Sequence, residues 1–247
     1  MILILGSHKD DVLYCSSLLN DRTEEMVMGR FPCVKGTIFN QEVMAVYGLH
    51  ASVLSSAVVS EILSQNYVSL VFVLGKCFAI DKSFHQGDIV ISTSILDLDV
   101  DLIDSANASL AEIPGLPREY RVQKDVVDYL RDGFHRRTLV TPSSATFLST
   151  DNLFSPAVTM AMERHTVLGS RGPFVVDSSA FGAALGCYLH DVPCVAVKAV
   201  ERELSEKRTI EDYLSALNTY VDIGKAVVYT IGDISRNDVL RVRGGGQ

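Results

Sequence analysis

At 247 residues, 47% hydrophobic and 21% charged, the chain is long enough to bury a substantial core and too apolar to be disordered. Its net charge of −8, with only short basic clusters such as Arg136–Arg137 and Arg241–Arg243, lacks the basic face of a phosphate-gripping protein, so no nucleic-acid partner is expected. No apolar run reaches the roughly 18 residues that cross a bilayer, and the opening Met-Ile-Leu-Ile-Leu is too short for a secretory leader, so a cytoplasmic protein without membrane contact is expected.

Residues 1–5 read as a short apolar strand closed by Gly6, and Asp10-Asp11 then open a helix through Leu18-Leu19, where acidic residues suit the positive end of the helix dipole. Residues 26–28, 33–39 and 43–47 read as strands, with Asn40-Gln41 as the turn between the last two. A helix over 51–63 follows. The run Ser69–Leu74, apolar on both sides, has the signature of a buried parallel strand. Gly87-Asp88 precede a strand at 89–92, and 97–117 read as an acidic loop ending in Pro114-Gly115-Leu116-Pro117. Then come a helix at 122–131, a strand at 137–140, a helix at 155–164, a strand at 174–176, a small-residue helix at 180–190, a long strand at 192–200 and a closing helix from Thr209 to about Ile231. Residues 241–247 read as a disordered tail, leaving one domain over 1–240.

Strands alternating with helices along the whole chain specify a single-domain α/β layer structure. In such sheets ligands bind beyond the carboxyl ends of the strands. The segments to read for function are therefore 7–11, 47–51, 75–78, 143–148, 177–180 and 201–204. Five cysteines, an odd count without a Cys-x-x-Cys, read as reduced, buried hydrophobes, and six histidines do not gather with them at metal-ligand spacing, so no metal and no cofactor are expected.

Those strand-end segments carry a likeness. The succession ILGSHKDDV, VFVLGK, QGDIVIS, DLDVD, IPGLP, SSATFL, VVDSSAFGAALG, VPCVAVKAV and TIEDYL resembles, in order and spacing over nearly the whole chain, the 5′-methylthioadenosine/S-adenosylhomocysteine nucleosidases of the purine nucleoside phosphorylase superfamily. The resemblance implies a three-layer α/β/α fold with a central mixed, mostly parallel sheet, and a homodimer in methionine salvage whose small-molecule partner is a nucleoside. It also implies hydrolysis of an N-glycosidic bond: the departing purine gains a proton while a water attacks the sugar.

Carried over by position, Asp11 stands where the family has its water-handling glutamate, and Phe147 where it has the phenylalanine that stacks on the purine. The family's Val-Glu-Met-Glu becomes Val176-Asp177-Ser178-Ser179, so Ser179 replaces the glutamate that holds the ribose hydroxyls, and Asp177 keeps a carboxylate at the first acidic place. The family's Arg-Ala-Ile-Ser-Asp becomes Lys198-Ala199-Val200-Glu201-Arg202. Arg202 thus takes the place of the proton-donating aspartate, although arginine is a poor general acid, and a slip of one residue puts Glu201 there instead. Lys76 replaces a small serine after Gly75 and can reach the pocket as a charge. Three readings stay open: a nucleosidase for a purine nucleoside such as 5′-methylthioadenosine, S-adenosylhomocysteine or a modified relative; a nucleoside-binding homologue with impaired catalysis; and a phosphorylase drawing on Lys76, Arg202 or His50 for phosphate.

Overall fold

The computed structural model describes residues 1–100, 111–152, 172–203 and 210–237, in the backbone alone at 202–203, 210–218 and 237. In chain order the elements are β1 (Ile2–Gly6), α1 (Lys9–Ser17), β2 (Asn20–Val27), β3 (Phe31–Ile38), β4 (Gln41–Tyr47), α2 (Ser52–Gln65), β5 (Leu70–Ala79), β6 (Ile89–Asp97), β7 (Tyr120–Arg121), α3 (Lys124–Arg137), β8 (Ser143–Ser149), β9 (Phe174–Asp177), α4 (Ala180–Leu189), β10 (Cys194–Glu203) and α5 (Ile210–Asn237).

The strands form one mixed sheet. β4, β1, β5 and β10 run parallel side by side, β6, β8 and β9 form a second parallel ladder, and antiparallel pairings join the two and add the β2–β3–β4 meander. β1 and the first half of β5 are buried on both faces, which explains their unbroken apolar runs. One face packs against α2 and α4 through Val58, Val59, Ile62, Phe181, Ala183 and Ala184. The other packs against α1, α3 and α5 through Val12, Leu130, Phe134, Ile223, Val227 and Ile231. The three-layer α/β/α arrangement expected from the sequence is therefore present.

Several expected elements change. β2 begins at Asn20, six residues before the expected strand, because its Asn-Asp-Arg-Thr-Glu-Glu stretch is exposed along a sheet edge and carries no hydrophobic signal. The turn before β4 is centred on Phe39 and Asn40, both at positive φ, one residue earlier than expected. The expected strand at 137–140 is not there: Arg137 ends α3, Thr138 caps it by donating its N–H to the carbonyl of Phe134, and the strand is Ser143–Ser149, whose polar start hid it. β5 and β10 run longer than their apolar cores and β8 starts at Ser143, so Gly75–Phe78, Glu201 and Ser143–Leu148 lie within strands and not after them. The expected helix at 155–164 and the tail at 241–247 lie outside the described residues.

Candidate active site

The site grows from the carboxyl ends of β1, β5, β9 and β10. At Gly6 the chain turns so tightly that an added Cβ would lie 2.9 Å from the side chains of Asp11 and Val12. His8 follows in extended conformation as the residue preceding α1, and its backbone N–H donates to Asp11 Oδ2 at 2.8 Å, half of a capping box. The Asp11 carboxylate is thereby folded back over the sheet. It lies against Gly75 of β5, which has φ +137° and no room for a Cβ, since one would sit 3.0 Å from Asp11 Oδ2.

Asp11 is 4% exposed, and its Oδ1 is buried without a hydrogen-bond partner among the described residues. Burial pushes its carboxyl above the ordinary carboxylate range, outweighing the His8 N–H and the charges of Lys198 and Lys76, which pull the other way. An orphan acceptor of this kind costs stability unless something donates to it, so it is a place for a water or a ligand hydroxyl.

β10 aligns Lys198 with Gly75. Lys198 is 1% exposed, and its ammonium pairs with Asp177 and donates to Ser179 Oγ at 2.8 Å. Asp177 ends β9, and its Oδ2 also accepts the N–H groups of Ser179 (3.1 Å) and Ala180 (2.8 Å) at the start of α4. Its Oδ1 accepts the hydroxyl of Ser149 from the adjoining end of β8, and Ser149 Oγ in turn accepts the N–H of Phe181 at 2.9 Å. One lysine, one carboxylate, two hydroxyls and a helix start thus make a closed buried network, in which Asp177 neutralises Lys198 and caps α4.

Lys76 and Glu201 form a second pair. Lys76 Nζ lies 3.5 Å from Glu201 Oε1, with side-chain exposures of 14% and 6%. Glu201 falls in a β-bulge, where the β10–β5 register shifts between Val200 and Arg202. The bulge leaves Glu201 unaligned and pairs the Arg202 backbone with Phe78, while the Arg202 side chain lies outside the described residues.

A model of the phosphorylase superfamily matches residues 1–231. The chain belongs to this superfamily. The 5′-methylthioadenosine/S-adenosylhomocysteine nucleosidase of Staphylococcus carnosus (strain TM300) is 26% identical over 203 residues, 81% of this chain and 85% of that protein. The same fold is seen in the nucleosidase of that name from Neisseria meningitidis, solved with methylthio-immucillin-A, at TM-score 0.83 and 16% identity, covering 94% of this chain and 98% of that one. It is seen as well in the futalosine hydrolase of Helicobacter pylori, at TM-score 0.81 and 17% identity, covering 94% and 97%.

Within this phosphorylase-superfamily chain the residues singled out in the sequence divide into three groups. Asp11, Lys76, Asp177, Ser179 and Glu201 gather at the strand ends, and Ser178 sits half-buried between Asp177 and Ser179. Phe147 does not join them as an accessible ring. It is fully buried in the middle of β8, between Ile95 and Val175, in the core beneath α2 and α4. Arg202 is placed by its backbone only.

Two residues central to the network, Lys198 and Ser149, were not among those singled out. Lys198 could have been found from its setting alone. A single lysine inside the apolar run Val-Pro-Cys-Val-Ala-Val-Lys-Ala-Val is a charge carried into a core, and it requires a partner. His8 and His50, whose rings meet edge-on at 4.9 Å, lie at the neighbouring ends of β1 and β4.

Proposed function

We propose that this chain is a nucleosidase that hydrolyses the N-glycosidic bond of a purine nucleoside, 5′-methylthioadenosine, S-adenosylhomocysteine or a modified relative. The observation that carries the reading is the buried, unpartnered Oδ1 of Asp11 at the strand ends, in a carboxylate whose affinity for protons is raised by burial. A water donating to that oxygen gives Asp11 its proton as the water oxygen bonds to the sugar's anomeric carbon. The C–N bond breaks with its electron pair passing to the purine, which takes a proton from solvent at the strand-end face that Glu201 and its partner Lys76 line. Lys198 holds positive charge near Asp11. Asp177 acts as a positioning residue, because both of its oxygens are engaged within the protein. Ser178, half-buried beside the network, offers a hydroxyl to the ribose, and Ser179, whose Oγ accepts from Lys198, stands where the resembling enzymes carry a charge.

Support for a homodimer comes from α2 and α4. They pack on each other yet leave Val53 (73%), Tyr188 (47%) and Leu189 (59%) exposed. The same reading sets the chain in the cytoplasm and in methionine salvage. A mass near twice 27.0 kDa by sedimentation is expected, and a monomer at micromolar concentration contradicts the dimer.

The test of function is to incubate the protein with methylthioadenosine, adenosylhomocysteine, adenosine and inosine, with and without phosphate, and to measure free base. Release without phosphate is expected. Release that depends on phosphate makes the chain a phosphorylase. Thermal stabilisation without release makes it a binding homologue, the reading that Ser179 and the self-contained Asp177–Lys198 pair favour.

A further inference from the structure

On the opposite side of the sheet from α2 and α4, a cavity of about 350 Å³ opens between α1, α3, α5 and the β3–β4 turn. Its size is at the small end of the roughly 300–1,000 Å³ range of ligand pockets. Three aromatic rings (Tyr14, Phe39, Tyr229) and three cations (Arg137, Lys225, Arg236) line it, in a chain whose net charge is −8.

The rings are seated at a cost. Phe39 has φ +50°, a left-handed conformation that a bulky side chain rarely adopts, and its carbonyl is anchored by the Ser235 hydroxyl at 3.1 Å. α5 carries glycine at the two places where these rings lie on it. A Cβ at Gly224 would come within 2.6 Å of the Tyr14 ring, and one at Gly232 within 2.9 Å of the Phe39 ring. A glycine inside a helix destabilises it relative to alanine. Backbone strain and two helix-interior glycines thus converge on holding two aromatic rings at one cavity.

The cations are not all spent on neighbours. Lys225 is tied to Asp222 at 2.8 Å, and outside the cavity lining Arg136 is tied to Asp132 at 2.8 Å. Arg137 instead lies over the Tyr229 ring, 4.9 Å from its centroid. Among the described residues neither Arg137 nor Arg236 is in an ion pair. The lining carboxylate, Asp233, leaves the cations in excess.

We propose that this cavity is a binding site, separate from the strand-end site, for a small aromatic anion: a flat ring system that lies against Phe39 and Tyr14 and carries one phosphate or carboxylate to Arg137 and Arg236. The ring supplies apolar contact and the guanidinium groups supply charge-assisted hydrogen bonds.

The probe is adenosine 5′-monophosphate, followed by calorimetric titration, with adenosine (ring without anion) and ribose 5-phosphate (anion without ring) as comparisons. Wild-type protein binds adenosine monophosphate more tightly than ribose 5-phosphate. The double variant Arg137→Gln/Arg236→Gln weakens adenosine monophosphate by about tenfold or more while leaving adenosine binding unchanged. Phe39→Gly, which suits the left-handed backbone and so spares the fold, weakens adenosine monophosphate as well. Undetectable binding to wild-type protein, equal binding of ribose 5-phosphate, or an unchanged affinity in the double variant each overturns the proposal. Base release from nucleosides is measured on the same variants. Its absence in wild-type protein counts against the proposed nucleosidase activity and leaves this site standing.

Discussion

Asp11 concentrates the chemistry of the site in one side chain. Replacing it with asparagine keeps the His8 N–H bond and the volume but removes the base, so turnover is expected to fall by about a hundredfold or more while nucleoside binding stays nearly intact. A variant with full base release eliminates Asp11 from the mechanism. The working form is the ionised carboxylate, and burial raises its pKa, so kcat/KM should rise with pH through an acid limb above the ordinary carboxylate value of about 4. A limb at or below that value contradicts the assignment. Lys198 allows a different test, because both it and Asp177 are fully buried. Lys198→Met strands the Asp177 charge and is expected to cost about 3–5 kcal/mol in denaturant unfolding, with a large part restored by adding Asp177→Asn. Equal stability of single and double variants would show that the pair is not coupled. Asp11 and Glu201 were legible through the family resemblance, which sets a carboxylate at the position of Asp11 and, with a slip of one residue, at Glu201. The pairing of Lys198 with Asp177 was not, since it joins positions 21 residues apart through sheet order that no local pattern encodes.

Among the elements, α4 shows how composition sets distance. Its sequence Ala-Phe-Gly-Ala-Ala-Leu-Gly-Cys is small because α2 lies directly on it: a Cβ at Gly182 would fall 1.9 Å from the carbonyl oxygen of Ser52, and one at Gly186 would meet Val59 at 2.9 Å. Alanine is the better helix former by about 1 kcal/mol, yet Gly182→Ala must push α2 away through a backbone atom that cannot rotate aside. The variant is expected to lose about 1–3 kcal/mol or more in thermal or urea unfolding, and a gain in stability would refute the contact. Elements of this kind were readable where burial imposes a pattern: β1, β5, α2 and α4 all lie where their apolar or small-residue runs put them. They were unreadable where it does not. β2 is exposed, β8 opens on Ser-Ser, and the apolar pair Leu139-Val140 imitates a strand while Leu139 is fully exposed.

Across the molecule, the strand-end face is held together by carboxylates that bridge separate elements. Asp97, at the end of β6, accepts the Asp99 N–H at 2.9 Å. Asp99 accepts the Thr150 hydroxyl at 2.6 Å and the Asp151 N–H at 2.8 Å, and Asp151 accepts the Ser52 N–H that opens α2 at 2.8 Å. This chain of contacts ties β6, the end of β8 and α2 together at the rim of the site. It also crowds three negative charges. Burial, with Asp99 and Asp151 nearby, pushes Asp97 up to about 6. The folded state therefore binds this proton more tightly than the unfolded chain, whose aspartate titrates near about 4. Its contribution to stability is complete below about pH 4, is lost as pH rises through about 6, and stays lost at neutral pH. Asp11, raised by burial, adds a fall of the same sign. Asp97→Asn keeps the oxygen that accepts the Asp99 N–H and cannot ionise. Urea unfolding between about pH 4 and 7 should show the variant more stable than the parent at neutral pH, with a shallower decline across that window. If the parent instead gains stability across the window and the variant is weaker at pH 7, the Asp97 carboxylate is stabilised by its surroundings, and the rim is held by its charge instead of in spite of it.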